Sequence, residues 1–290
     1  LSARRPNSGQ LGTAAPTFGF TLIELLSALA ITTLLVVVIV QMTNSVLHLW
    51  PYGRDRVQKN MDARMALELL AQDIRAGVLR GGAMTATNPP RALRWLETKP
   101  ETGIGPNGGF TATNASWLMF FAVPQDRAGA PRGDVCAVSY RLGFTDPIEK
   151  GGTRKTFGLY RTIVDPQTTF TDVLGKERLH DQFWNSRDSL LPEDYLVANV
   201  IDFAVVLIAT DSTGKRYEIP ASSPASLDSA LTVTNPPSGL PTSLRLVALD
   251  ISLTIVSDQA ARRLERAVGD GQALVKEAST TFTKRVTLTQ

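Results

Sequence analysis

The stretch Phe20–Val40 reads FTLIELLSALAITTLLVVVIV, an apolar run interrupted by one charge, Glu24. As a helix rising about 1.5 Å per residue it is roughly 31 Å long, enough to span the hydrocarbon core of a bilayer. The run is longer than the apolar region of a secretory signal peptide, and no A-x-A-like cleavage site follows at Gln41-Met42-Thr43-Asn44. A transmembrane anchor helix is therefore expected over residues 20–50. Pro51 should end or kink it, and Trp50 and Tyr52 fit an interfacial aromatic belt.

Glu24 is what a plain anchor leaves unexplained. An ionisable side chain in an apolar helix costs a few kcal/mol near the bilayer centre and less near its surface, and is kept when a partner neutralises it. Four residues upstream stands Phe20, preceded by Phe18-Gly19. A cut after Gly19 would create an α-amino cation at the edge of the apolar segment. The amine of a neighbouring copy could then pair with Glu24 and offset both desolvation costs. Glycine before the cut suits a peptidase that needs close backbone approach.

These residues, Gly19-Phe20-Thr21-Leu22-Ile23-Glu24-Leu25-Leu26, resemble the processing and methylation motif of type IV prepilins and type II secretion pseudopilins. The resemblance implies a leader over residues 1–19, cleavage between Gly19 and Phe20 by a cytoplasm-facing prepilin peptidase, and N-methylation of Phe20. It also implies assembly with other prepilin-like subunits through the N-terminal helix, with Glu24 as the assembly residue. The expected location is the inner membrane, single-pass, with the head in the periplasm. Charge counting alone opposes this orientation, because Arg4 and Arg5 face Arg54, Arg56, Lys59 and Arg64 beyond the helix. The cleavage motif takes precedence, since its peptidase requires a cytoplasmic leader.

Past the anchor, Ala63, Leu67, Leu70, Ile74 and Val78 recur at helical spacing, with Met61 and Met65 on the shoulder of that face. They predict an amphipathic helix within residues 51–79, followed by a β-rich head over 80–290. Residues 80–115, rich in Gly, Pro, Asn and Thr, read as a long loop. Strands are expected at Trp117–Val123, Val135–Leu142, Phe157–Val164, Val197–Ala209, Arg216–Ile219, Leu244–Val256 and Thr280–Leu288. Asp165–Asp194 and Pro220–Pro241 read as inserted loops, and Gln259–Ala267 as a short helix. The expected fold is α+β: a long pilin-type helix, half transmembrane and half amphipathic, packed on a mostly antiparallel sheet.

The order of elements is similar to that of large minor pseudopilins of the J type and minor pilins of the W type, through LELLAQDIRAG, VSYRLG, GLYRTIV, VANVIDFAVVLI and LRLVALDISLTIV. A narrower likeness, to the prepilin-like Verru_Chthon cassette protein C family, is carried by QMTN, GRDR, DAR and GDVCAVSYR.

Composition narrows the chemistry. With 30 Lys and Arg against 27 Asp and Glu the net charge is +3, which is not the balance of a nucleic-acid-binding protein. The one cysteine, Cys136, excludes an intrachain disulfide and a cysteine-based metal site, and reads as a buried thiol. His48 lies at the end of the anchor, and His180 reads as a loop histidine, with no G-x-S-x-G turn to supply a nucleophile. Gly103-Ile104-Gly105-Pro106-Asn107-Gly108-Gly109 lacks the strand–loop–helix frame of a phosphate loop. Asp211-Ser212-Thr213-Gly214 starts like a calcium loop without its later acidic ligand. No catalytic residue, metal or cofactor is expected. The function expected is a structural assembly subunit of a pilus or pseudopilus. The alternative is a membrane-anchored adhesive or DNA-capturing protein displayed on such a filament.

Overall fold

A computed structural model of the chain describes residues 19, 21–78, 94–112, 115–125, 134–174, 178–180, 190–228, 230–266 and 270–288, with the backbone alone at 48–56 and 94. Phe20, the expected leader up to Phe18, and the side chains of His48, Trp50 and Tyr52 lie outside the described residues. Internal contacts divide the chain into two units, Leu1–Gly53 and Arg54–Gln290.

One helix, α1, runs from Leu22 to Arg75. Of the two outcomes expected at Pro51, an end or a kink, the end does not occur: helical backbone continues through it. A proline inside a helix removes one hydrogen bond and crowds the preceding turn, which the bonds on either side can outweigh. In the first unit α1 is apolar on every side. Leu22–Leu47 forms a stretch of mean hydropathy 2.6, none of it buried within the chain. Its hydroxyls are satisfied internally. Thr32 Oγ1 donates to Ala28 O at 2.8 Å, Thr43 Oγ1 to Ile39 O at 2.8 Å, and Ser45 Oγ to Gln41 O at 3.0 Å. A helix meeting its polar groups in this way is compatible with a bilayer interior.

In the second unit α1 becomes amphipathic. Ala63, Ala66, Leu67, Leu70, Ala71 and Ile74 are buried, and they share one core with the sheet residues. The three alanines keep that face narrow, so the helix backbone can lie close to the sheet. Two expectations are corrected here. Met61 and Met65 are not shoulder residues of the core but 62% and 59% exposed. Val78 is past the helix end, its N–H donating to Phe121 O at 3.0 Å. The helix stops because Gly77 makes a bridge to Ala122, and a Cβ on Gly77 would meet the Trp95 ring at 2.5 Å.

Among the described residues ten strands follow: β1 Arg94–Glu101, β2 Ala115–Ala122, β3 Cys136–Thr145, β4 Thr156–Ile163, β5 Tyr195–Ala198, β6 Val200–Thr210, β7 Arg216–Ile219, β8 Ala225–Asp228, β9 Arg245–Val256 and β10 Ser279–Thr287. They form a six-stranded sheet, β5-β4-β3-β2-β1-β8, and a four-stranded sheet, β10-β9-β6-β7, and the strand pairs are antiparallel. The fold is thus α+β, with two sheets. β6 lies against β2, β3 and β4, closing the core between them. A buried side-chain bond helps to join the layers. The Val205 N–H, beyond the reach of short β7, donates to the buried Ser116 Oγ of β2 at 3.0 Å.

The long loop expected over 80–115 is corrected by β1, and the loop over 220–241 by β8; the two strands pair with each other. The strand expected at Val197–Ala209 is two strands in different sheets. Asn199, at φ 59°, breaks the run where the chain crosses between them. Asparagine is one of the few residues that enters this left-handed region readily. A helix at Asp258–Glu265 starts on Ser257, whose Oγ accepts from Ala260 N, and a second at Gly271–Ala278 starts on Asp270. The second was not expected. Together they cover a small apolar cluster around Phe157, Ile201, Val256 and Leu264.

Candidate functional site

The residues singled out in the sequence sit at the start of α1. Gly19 is exposed, and a Cβ placed on it would meet nothing within 4 Å. Among the described residues nothing requires glycine at this position. Glu24 is exposed and lies in the first turn. Its Oε2 accepts from the Thr21 backbone N–H at 2.9 Å and from Thr21 Oγ1 at 2.9 Å. In return Glu24 N–H donates to Thr21 Oγ1 at 3.3 Å. This is a capping box, in which Thr21 and Glu24 satisfy backbone donors that no earlier turn can meet. The spacing Thr21-Leu22-Ile23-Glu24 carries that signal in the sequence. Within a single chain, then, Glu24 has a local partner.

Among the described residues three carboxylates of the head are buried, Asp73, Glu97 and Asp146. Asp73 lies on the buried face of α1 and is 2% exposed. Its Oδ2 accepts from Tyr140 Oη at 2.6 Å and from Arg161 Nε at 2.8 Å, and its Oδ1 from an Arg161 terminal nitrogen at 2.9 Å. Burial, reinforced by the Asp73 charge, pushes the Tyr140 phenol far above its ordinary pKa. The phenol therefore stays a donor. The arrangement is a three-way tie between α1, β3 and β4, and its groups are occupied with one another. It is a structural lock.

The second carboxylate, Glu97 of β1, is 3% exposed. It accepts from Leu179 N–H at 2.6 Å, and its other oxygen meets His180 Nδ1. His180, expected as a loop histidine, lies in a turn, where its ring is engaged by Glu97. It sits half-buried against a strand that was itself not expected.

The calcium-like segment is a turn. Asp211 Oδ1 accepts from Thr213 N, Thr213 Oγ1 and Lys215 N, and Oδ2 from Tyr217 Oη. Thr213's hydroxyl, the largest influence, holds this carboxyl below its ordinary pKa. Among the described residues no group of three or more His, Cys, Asp or Glu side chains is placed to hold a metal ion. Cys136 is fully buried.

No protein-family model matches the sequence, and no curated protein matches it.

Proposed function

We infer that this chain is a minor prepilin-like structural subunit, processed by a prepilin peptidase and assembled into a pilus or pseudopilus of the type IV or type II secretion kind. The observation that carries the reading is the segment Gly19-Phe20-Thr21-Leu22-Ile23-Glu24 at the head of the apolar stretch Leu22–Leu47, none of whose residues is buried within its own chain. A helix apolar on all sides needs an apolar surrounding, first lipid and then neighbouring helices. The head, a compact unit with its own core, supports the reading because it can fold while the anchor changes surroundings. On this account the chain sits in the inner membrane by one span, with the head in the periplasm. Its partners are the prepilin peptidase and other prepilin-like subunits, and α1 lies on the sheet as in pilins.

In this setting Glu24 acts twice. Before assembly its carboxylate closes the capping box with Thr21. After cleavage, the α-amino group of Phe20 on a neighbouring subunit offers a charged partner, and a buried charge is tolerated only when so paired. The test is site-specific crosslinking between anchor helices in membranes with the partner subunits present. Parent chains should crosslink, and Glu24→Ala chains should do so at least tenfold less while inserting normally. Equal crosslinking by both would overturn the assignment of Glu24.

A further inference from the structure

The four-stranded sheet ends on one side in β10, nine residues long and paired with β9 without any register shift. The other sheet edges are of a different kind. β7 and β8 have four residues each, and β5 pairs through an irregularity. Short or bulged edges resist pairing with another strand, whereas a long regular one invites it.

The phase of the β9–β10 ladder shows which backbone groups β10 leaves open. Leu288 N–H donates to Val247 O, directly across the ladder, so the even-numbered residues of β10 turn their N–H and C=O toward β9. The odd-numbered Thr281, Thr283, Arg285 and Thr287 turn theirs away, to a side where no strand pairs among the described residues. Their side chains are exposed. Charged side chains normally guard such an edge, but here both cations are engaged by their own chain. Lys284 Nζ meets Glu68 of α1, and Arg285 makes two bonds of 2.6 Å to Asp250 of β9.

We propose that β10 is a homodimerisation edge, pairing antiparallel with β10 of a second copy about a two-fold axis through Thr283. This register uses the whole strand. It places Thr283 opposite Thr283, Thr281 opposite Arg285 and Ser279 opposite Thr287, all residues whose backbone groups face outward. Between them, Phe282 falls opposite Lys284. No like charges meet, and hydroxyl and aromatic–cation pairs do. Moving the axis to Lys284 or Arg285 would oppose two identical cations, which is destabilising. The strand is thus complementary to itself in one central register, as a two-fold interface requires. The pairing does not depend on how the chain is processed near Phe20.

Disulfide trapping in the full-length chain, in detergent micelles, tests this. The parent chain is the blank, because its one cysteine, Cys136, is fully buried. Thr283→Cys should give a disulfide-linked dimer under mild oxidation, since facing residues of such a pair have Cα atoms within bridging distance. Thr281→Cys should crosslink at least tenfold less, because its two copies lie about 13 Å apart along the strands. Adding Thr281→Pro to Thr283→Cys removes an outward N–H and the hydroxyl bond to Thr254 while sparing the backbone bonds to β9, and should lower the dimer yield at least tenfold. Absence of a dimer at position 283, equal crosslinking at 281 and 283, or a disulfide adduct of the Thr283→Cys chain with a different protein would each overturn the proposal.

Discussion

Asp73 of α1 and Arg161 of β4, 88 residues apart in sequence, form a bidentate ion pair with nitrogen–oxygen distances of 2.8 and 2.9 Å at the boundary between helix and sheet. Side-chain exposure is 9% for the arginine and 3% for the aspartate. Removing one partner of such a pair leaves a charge in a place that disfavours it, which costs about 3–5 kcal/mol. Asp73→Ala should therefore lower the unfolding free energy by about that amount, while Arg161→Met with Asp73→Leu should restore much of it. Denaturant midpoints of the three proteins would check this. An unchanged midpoint for Asp73→Ala would show that the pair is incidental.

The two faces of α1 in the head predict opposite responses. Leu70 is fully buried, so Leu70→Asp presses a charge into the core and should unfold the head. Met65, about one and a half turns away, is mostly exposed, and Met65→Lys should change stability by no more than about 0.5 kcal/mol. Circular dichroism and thermal melting of a fragment beginning at Arg54 would separate the two. A large loss from Met65→Lys would place the core on the wrong side of the helix.

Stability should fall at both ends of the pH scale. The Ile148, Glu149 and Arg154 backbone N–H groups bond the Asp146 carboxylate, with Ile148 the largest influence, and hold it below the usual carboxylate range. Asp211 and Asp250 are lowered as well, by Thr213 and Arg285 foremost. Groups lowered in the folded state contribute stability above about pH 4 and lose it as the pH falls through their folded values. Asp146→Asn should make the acid limb shallower. Asp202, raised by burial, works in the opposite sense, so Asp202→Asn should make that limb steeper. At high pH the sign follows the tyrosines. Burial raises Tyr140, Tyr160 and Tyr195, whose contribution is present below about pH 10 and lost above it. Chemical denaturation across the pH range, with tyrosinate absorbance on the alkaline side, measures both limbs. Free titration of these three tyrosines in the folded head would contradict the account.

The capping contacts of Glu24 can be tested apart from its proposed part in assembly. Glu24→Gln keeps a side chain able to accept from Thr21, whereas Glu24→Ala removes the cap. Exchange protection of the first turn of α1 should therefore fall for Glu24→Ala and for Thr21→Ala, and be largely kept for Glu24→Gln. Crosslinking to partner subunits should instead be lost in both Glu24 variants and kept in Thr21→Ala. Assembly that follows capping rather than charge would leave Glu24 as a helix-start residue only.

Much of this fold was legible in the chain. β2 and most of β3 read as apolar runs because their residues are buried on both faces, as in Ala115–Ala122, where every residue is buried, whereas β9 shows as an alternation in which Asp250 and Ser252 are only partly buried. β1 was not legible, because RWLETKPE places Glu97 and Thr98 in the interior, held by partners far along the sequence. The division at Asn199 was hidden for another reason: apolar residues continue on both sides of it, and only its positive φ marks the change of sheet. At the candidate site, the capping spacing Thr21 to Glu24 was present but overshadowed by the charge of Glu24. The Asp73 lock could not be read at all, since a carboxylate on an apolar helix face acquires meaning only once Arg161 and Tyr140 are beside it.

The central claim is the processing of the chain at Gly19–Phe20, and intact mass measures it most directly. A Cβ on Gly19 meets nothing in the fold, so Gly19→Val tests cleavage without disturbing structure. Isolated from membranes that contain a prepilin peptidase, the parent chain should have the mass of a protein beginning at Phe20 with one added methyl group, and the Gly19→Val chain should retain its leader. A parent chain that keeps residues before Phe20 in those membranes, or begins elsewhere, would contradict the account.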